Sequence, residues 1–171
     1  MIQSGKFDSL KMNIKKIANT ALEFTINRLI EITGIFILLL GILLFISLIS
    51  YSPEDPNFIF PENTEIKNIL GFQGSYISDL FFQSIGIISY LVPFTFFFTG
   101  INIFKTKDFF LLIENTFFII LYMSFGSLYF SHFNKPDFTL FINGSGGFIG
   151  NYLDNSFLND LVNIDEKITY Y

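Results

Sequence analysis

The sequence predicts an all-α membrane protein, a polytopic bundle of transmembrane helices. Residues 32–50 and 84–104 contain no Asp, Glu, Lys or Arg, and a third apolar stretch covers about residues 112–132. As α-helices rising about 1.5 Å per residue, these stretches would cross a hydrocarbon core of about 30 Å. A soluble domain of 171 residues, 51% of them hydrophobic, has no use for three such stretches.

The segment before the first span is basic, and its apolar residues recur at spacings of three and four. These residues are Phe7, Leu10, Ile14, Ile17, Ala21 and Phe24. The spacing predicts an amphipathic helix that lies on the inner leaflet and leads into the first span. An ordinary basic flank that only sets the orientation is the alternative. We divide the chain into this segment, residues 1–30, and a membrane domain, residues 31–171.

The first span is expected to be retained rather than cleaved as part of a signal peptide. Its apolar run is longer than the core of about 7–15 residues typical of a signal peptide. The residues that follow it, Tyr51-Ser52-Pro53-Glu54-Asp55-Pro56, contain no small-residue cleavage site.

Basic residues are distributed unevenly around the spans. Seven of the ten precede the first span or separate the second from the third: Lys6, Lys11, Lys15, Lys16, Arg28, Lys105 and Lys107. The loops at residues 51–83 and 133–171 are acidic. The positive-inside rule therefore places the N-terminus in the cytoplasm and both acidic loops outside. The chain has no cysteine, which excludes disulfides and thiolate chemistry.

A repeated pattern joins residues 71–83 to residues 147–159. Both segments read G-F-x-G-x-Y-(I/L)-x-(D/N)-x-F-(F/L)-(Q/N). The pattern suggests a duplicated unit of span, outer loop, glycine-led surface helix and next span, although chance similarity is the alternative. A duplicated unit would end in another span, so we expect a fourth helix just beyond the C-terminus and a chain that is part of a longer protein.

No motif for catalysis or metal binding stands out. The glycines at 144–150 lack the Lys-Ser/Thr pair of a phosphate-binding loop, which favours a simple turn. His132 has no carboxylates at ligand spacing and is expected to be a polar residue at the membrane interface. Glu114 is expected in the headgroup region. We therefore predict no catalytic, cofactor or metal site in this chain.

Small residues and a proline mark the packing of the first two spans. Pro93 lies near the middle of the second span and predicts a kink there. Four glycines offer surfaces for close helix contact: Gly34, Gly41, Gly86 and Gly100.

The loop after the first span carries a more specific pattern. Residues 50–57 read S-Y-S-P-E-D-P-N, and an N-x-x-G-x-x-G-x4-D-x6-G frame runs from Asn68 to Gly86. Tyr-Leu-Val-Pro follows at 90–93, and Gly-Gly-Phe-Ile-Gly at 146–150. In order and spacing, about residues 30–155 resemble the N-terminal four-helix membrane domain of the FtsK/SpoIIIE family of DNA translocases. Ser75 and Ser78 stand where that family usually has alanines, and Asn57 replaces a serine.

The resemblance implies a membrane-anchoring and divisome-assembly domain in the bacterial inner membrane, at the division septum. The implied partners are membrane lipids and division-septum proteins, with homo-oligomerisation through the motor of the full-length protein. ATP and Mg²⁺ are implied only for that motor, which this sequence does not contain. The chain itself is therefore expected to be no enzyme and to bind no nucleic acid directly.

The residues of the resemblance are also the candidates for shaping the domain or contacting partners. They are Tyr51, Pro53, Asp55, Pro56, Gly71, Gly74, Asp79, Gly86, Pro93, Gly147 and Gly150. One alternative is a fragment of a small-molecule transporter, a class in which repeats are common, but the first two spans carry no ionisable residue. A membrane sensor or scaffold is another alternative.

Overall fold

The computed structural model describes residues 2–56, 65–133 and 143–158, with side chains from residue 12 to residue 156 within these ranges. In chain order the elements are α1 (Ile2–Ile49), α2 (Gly71–Ile85), a 3₁₀ turn (Gly86–Tyr90), α3 (Leu91–Thr106), α4 (Phe110–Phe133), α5 (Gly147–Leu153) and a π-helical turn (Asp154–Leu158).

The predicted fold class is confirmed. No strand occurs in the described ranges, and three helical stretches are long and apolar enough to cross a membrane. These are Met12–Ile49, Gly71–Thr106 and Phe110–Phe133. The division of the chain at residue 30 stays a prediction, because α1 runs through that position without a break. The fourth span stays a prediction as well.

Helices α1 and α3 pack against each other in antiparallel directions through glycines. A Cβ atom added to Gly34 would lie 2.8 Å from the backbone nitrogen of Phe104, and one added to Gly41 would lie 3.0 Å from that of Phe97. On the other side, a Cβ atom on Gly100 would lie 2.6 Å from the nitrogen of Leu38. Only glycine allows this backbone separation, so the predicted helix contacts at these three glycines are confirmed.

The apolar core is small and lies near the end of the bundle where α1 finishes. It consists of Leu44, Leu48, Phe82, Ile85, Ile88 and Val92. Much of the remaining apolar surface is exposed, as in α4, whose buried residues are Ser127 and Ser131. Transmembrane helices that face lipid typically direct polar and small side chains into the bundle and apolar side chains such as phenylalanine outward.

The second predicted span is not one continuous α-helix, and the predicted kink at Pro93 is wrong. The chain bends at the 3₁₀ turn, where Gly86 ends α2 with φ of 66°. Pro93 lies in the first turn of α3. The first four N–H groups of a helix have no intrahelical acceptor, so the missing N–H of Pro93 removes no hydrogen bond from α3, which runs without a break from Leu91 to Thr106.

The two copies of the repeat fold alike, which supports the duplication. Gly71 and Gly147 each begin a helix with positive φ, 66° and 65°, and each donates its backbone N–H to the carbonyl of the residue three positions earlier. In both copies a Phe and Tyr four residues apart place their rings together, with centroid distances of 6.2 Å in α2 and 6.3 Å in α5. The glycines at 74 and 150 are buried in both.

Charged residues gather where α1 and α3 meet at the opposite end of the bundle. Glu31 pairs with Arg28 on the same helix and with Lys107, whose Nζ lies 3.1 Å from Glu31 Oε1. We call this the lysine end of the bundle, defined by Arg28, Glu31, Lys105 and Lys107. Residues 12–27 of α1 continue beyond it.

Polar side chains also join α3 to α4. Asn115 donates a hydrogen bond from Nδ2 to Thr99 Oγ1 over 2.9 Å, and Thr95 Oγ1 and Tyr122 Oη lie 3.0 Å apart. Asn115 thus packs against α3, next to Glu114 in the second turn of α4. Hydrogen bonds of this kind hold transmembrane helices together where the hydrophobic effect gives no preference.

Candidate partner-contact site at the loop end

The loop end is the face opposite the lysine end, and it comprises residues 47–56, 65–86, 127–133 and 143–156. It begins with a turn after α1. Asp55 donates its backbone N–H to the carbonyl of Ser52 over 3.2 Å, and Pro53 occupies the second position of the turn, which its fixed φ suits. Pro53 is exposed.

Asp55 faces inward and binds the returning chain. Its side chain is only 4% exposed, and its two carboxylate oxygens accept the backbone N–H groups of Lys67 and Asn68 over 2.8 Å and 2.9 Å. A carboxylate that accepts two backbone N–H groups satisfies donors that would otherwise be buried without partners. Asp55 therefore fixes the loop before α2 to the turn after α1.

Asn68 carries this connection into the helices. Its Nδ2 donates to the carbonyl of Ser47 over 2.9 Å, and its Oδ1 accepts the N–H of Leu70 over 3.1 Å. Ser47 in turn donates its hydroxyl to the carbonyl of Gly74 over 2.6 Å. A Cβ atom on Gly74 would collide with the Asn68 side chain, so α2 needs glycine here to approach the loop.

Pro56 is held from the other side of the loop. The hydroxyl of Ser75 donates to its carbonyl over 3.0 Å, and both residues are buried. Serine at 75, where the resembled family usually has alanine, therefore adds a hydrogen bond between α2 and the loop.

A second series of hydrogen bonds crosses the loop end from the residues after α1 to the segment before α5. Tyr51 donates its phenolic hydroxyl to Asp79 Oδ1 over 3.2 Å, and Gln83 Nε2 donates to the same oxygen over 3.3 Å. Gln83 then accepts the backbone N–H of Asn143 at its Oε1 over 3.2 Å and the Asn143 amide at its carbonyl over 3.1 Å. Burial, followed by the charge of Asp79, raises the pKa of Tyr51 well above its usual value.

The two glycine-led turns meet backbone to backbone. A Cβ atom on Gly147 would lie 2.6 Å from the nitrogen of Gly86, and one on Gly86 would overlap the carbonyl of Ser145. That carbonyl accepts the N–H of Ile87 over 2.9 Å. On the α4 side, Ser127 donates its hydroxyl to the carbonyl of Ile85 over 3.0 Å. The start of α5 is thus fixed to the bend between α2 and α3.

Helix α5 is also bound to the end of α4. Ser131 donates to Asn151 Oδ1 over 2.6 Å, and a Cβ atom on Gly150 would meet the backbone of Ser127. His132 Nδ1 lies 2.9 Å from Asp154 Oδ1. His132 therefore contacts the π-helical turn that follows α5, a partner that the sequence did not indicate.

Nine of the eleven predicted site residues fall into two sets. Tyr51, Asp55, Pro56, Gly71, Gly74 and Asp79 join α1, the loop and α2, while Gly86, Gly147 and Gly150 join α2 to α5 and α4. Pro93 belongs to neither network and packs in α3, where its carbonyl lies 3.0 Å from a Cβ atom added to Gly41. Among the predicted site residues only Pro53 is exposed, and the role of all of them in partner contact stays a prediction.

The exposed surface of the loop end lies around the turn. Pro53 and Glu54 point to solvent, and Glu54 forms an ion pair with Lys67, which lowers the pKa of the glutamate and raises that of the lysine. The α2 residues Phe72 and Leu80 are 51% and 57% exposed. In the described part of the chain, no three His, Asp or Glu side chains group as they would around a metal ion. The exposed apolar and charged groups of this surface can contact a protein.

Several residues of the loop end went unnoticed in the sequence. Ser47, Gln83, Asn143, Ser131 and Asn151 all bind across elements. The signal for two of the helical positions was present. Ser47 and Ser131 are hydroxyl residues near the C-terminal ends of apolar spans, where a polar contact is expected.

Residues 27–164 match the family described as the 4TM region of DNA translocase FtsK/SpoIIIE. The chain is similar to the DNA translocase FtsK of Rickettsia prowazekii (strain Madrid E), with 29% identity over 82 residues, 46% of this chain and 11% of the relative. It is also similar to that of Rickettsia bellii (strain RML369-C), with 29% identity over 77 residues, 45% of this chain and 10% of the relative. The chain thus spans about a tenth of these relatives' length. No solved structure matches it.

Proposed function

The chain belongs to the family of the 4TM region of DNA translocase FtsK/SpoIIIE, and on this premise we propose that it is a divisome-assembly domain at the division septum. As the membrane-anchoring part of a DNA translocase, it spans the bilayer through helices α1, α3 and α4. The observation that carries the proposal is the family match, which covers α1 from residue 27 onward, all of α3 and α4, and the whole described loop end.

The proposed orientation places the N-terminus and the lysine end in the cytoplasm of an inner-membrane protein. Lys105 and Lys107 lie at the end of α3 beside Arg28 of α1, on the side where positive charge is retained during insertion. The loop end, with Glu54 and Asp55 after α1, then lies on the outer side of the membrane, within reach of the outer parts of division proteins.

In this proposal, ATP hydrolysis and DNA translocation belong to a motor outside the matched region. ATP, Mg²⁺ and DNA would be bound by that motor, and homo-oligomerisation through it would bring several membrane domains together. The membrane domain would contribute lipid contacts along its exposed phenylalanines and partner contacts at the loop end. It would catalyse nothing itself.

The loop end suits an assembly role because its shape is fixed by buried hydrogen bonds. Asp55, Asn68 and Asp79 hold the turn that presents Pro53 and Glu54. A preorganised surface loses less conformational freedom on binding than a flexible loop would, which favours recognition.

Variants of the exposed turn test this role in the full-length protein. Pro53→Ala with Glu54→Ala changes the presented surface without touching the buried network, and Lys105→Ala at the lysine end serves as the control. With membrane levels matched, we expect the turn variant to lose septal enrichment and to give elongated cells, while the control divides normally. Normal septal enrichment and division of the turn variant would overturn the proposed contact surface.

A further inference from the structure

The part of α1 beyond the lysine end has an apolar stripe that nothing in the described chain covers. Ile14, Ile17, Ala21 and Phe24 are all exposed, Ile14 at 66% and Ile17 at 69%. Their spacing of three, four and three residues is the a/d spacing of a coiled coil, and in the sequence it extends back to Leu10 and Phe7.

The stripe is not a continuation of the α1–α3 contact. The α1 residues that face α3 in the bilayer include Gly34, Ile37 and Gly41. At about 3.6 residues per turn, the stripe lies on a different side of the helix from these residues. A partner for the stripe would therefore have to be something other than α3.

The surface of the stripe has the shape that a facing helix requires. Ile17, Thr20, Ala21 and Phe24 line a shallow depression on α1, with Lys16 and Thr25 at its edge. Positions i, i+3, i+4 and i+7 form the four-residue hole that accepts a side chain of the partner helix in knobs-into-holes packing. The small Ala21 side chain lies between the larger ones and leaves the space that such a knob would fill.

The geometry of α1 disfavours the inner leaflet as the occupant. The helix is continuous from Ile2 to Ile49, and the segment from residue 6 to residue 33 contains neither glycine nor proline. To lie flat on the membrane, it would need a sharp bend at the lysine end, and such bends have identifiable causes that are absent here. As an unbroken helix, residues 12–28 extend about 24 Å beyond Arg28.

We propose that residues 14–24 of α1 pair with the same residues of a second copy of this chain as a parallel coiled coil. Copies inserted in one bilayer with the same orientation project α1 in the same direction, so only parallel pairing is possible. A seam this short has low affinity in dilute solution, but the membrane compensates by confining the copies at a high effective concentration.

Single cysteines test the pairing directly, because the chain has none of its own. In a parallel coiled coil, equal a and d positions of the two copies face each other. The 171-residue chain would be reconstituted in liposomes with a single cysteine at one of three positions. Ile14→Cys and Ile17→Cys should form disulfide-linked dimers several-fold faster than Asn19→Cys, which lies on the opposite side of the helix. Equal rates at the three positions, or no dimers at any, would overturn the proposal.

Two further measurements separate pairing from a leaflet contact and from misfolding. Adding Ile17→Asp to Ile14→Cys should abolish the dimer, whereas adding Asn19→Asp should not. Both changes are at exposed positions, so the fold of the single chain is retained. A fluorophore on Ile17→Cys that is quenched by brominated lipids, without dimer formation, would show that the stripe lies on the leaflet and would refute the coiled coil.

Discussion

The phenolic hydroxyl of Tyr51 donates to Asp79 Oδ1 over 3.2 Å and so ties the chain leaving α1 to the middle of α2. Both groups lie at the loop end, where Asp79 is only 7% exposed. The hydrogen bond forms only while Tyr51 keeps its proton, because a phenolate beside the carboxylate would repel it. This relationship makes the stability of the loop end depend on pH.

Tyr51→Phe is expected to lower the free energy of unfolding by about 1 kcal/mol at neutral pH. The pKa of Tyr51 is raised in the folded chain. Its contribution is therefore fully present below the unfolded value of about 10 and is lost as pH rises toward the folded value. Unfolding in detergent micelles, followed from pH 7 to alkaline pH, should show the two proteins converging above about pH 10. A constant difference across this range would contradict the account.

Asp55→Ala should destabilise the loop end strongly, because two backbone N–H groups lose their acceptor. We expect a loss of about 2–3 kcal/mol in the free energy of unfolding. Asp55→Asn, which keeps one acceptor oxygen, should lose less. The exposed Glu54→Gln removes only a surface ion pair and should leave the unfolding curve unchanged. Equal stability of the two Asp55 variants and Glu54→Gln would refute the role of Asp55.

Comparing Gly147→Ala with Gly71→Ala separates the cost of backbone strain from the cost of a steric clash with a neighbouring segment. Both glycines have positive φ, so each alanine should carry a strain of about 1–2 kcal/mol. A Cβ atom on Gly71 meets nothing within 4 Å, whereas one on Gly147 lies 2.6 Å from the backbone of Gly86. Thermal unfolding should therefore show a clearly larger loss for Gly147→Ala. Equal losses would mean that the two turns do not meet as described.

Cysteine labelling in intact spheroplasts tests the proposed orientation. Single cysteines at Asn57 and Asn143 are expected to react with an impermeant thiol reagent, and one at Thr106 is not. Asn57 lies outside the described residues, and Asn143 and Thr106 lie at opposite ends of the bundle. If only Thr106→Cys is labelled, the proposed orientation is wrong and the N-terminus lies outside.

The fold class was predictable because it depends on composition along the chain. Residues 32–50 carry no charge, and an uncharged apolar run of this length suits a helix that crosses a bilayer, whereas a transmembrane strand needs only about 9–11 residues. The glycine-led helices were predictable from a local pattern that repeats, since Gly71 and Gly147 begin α2 and α5.

The contacts at the loop end were not predictable, because they join residues far apart in the chain. Asp55 pairs with Asn68, and Gln83 pairs with Asn143. The position of the bend was also missed. Pro93 is a helix breaker only when residues before it are helical in the same element, and the break at Gly86 places it in a first turn instead.

We propose that this chain anchors a DNA translocase and joins the division machinery. The most direct test is fluorescence imaging of residues 1–171, fused to a fluorescent protein and expressed without a motor in dividing bacteria, against a general membrane stain. We expect enrichment of the fusion over the stain at the septum. A fusion that is inserted in the membrane at a comparable level, yet follows the stain uniformly around the cell, would contradict it.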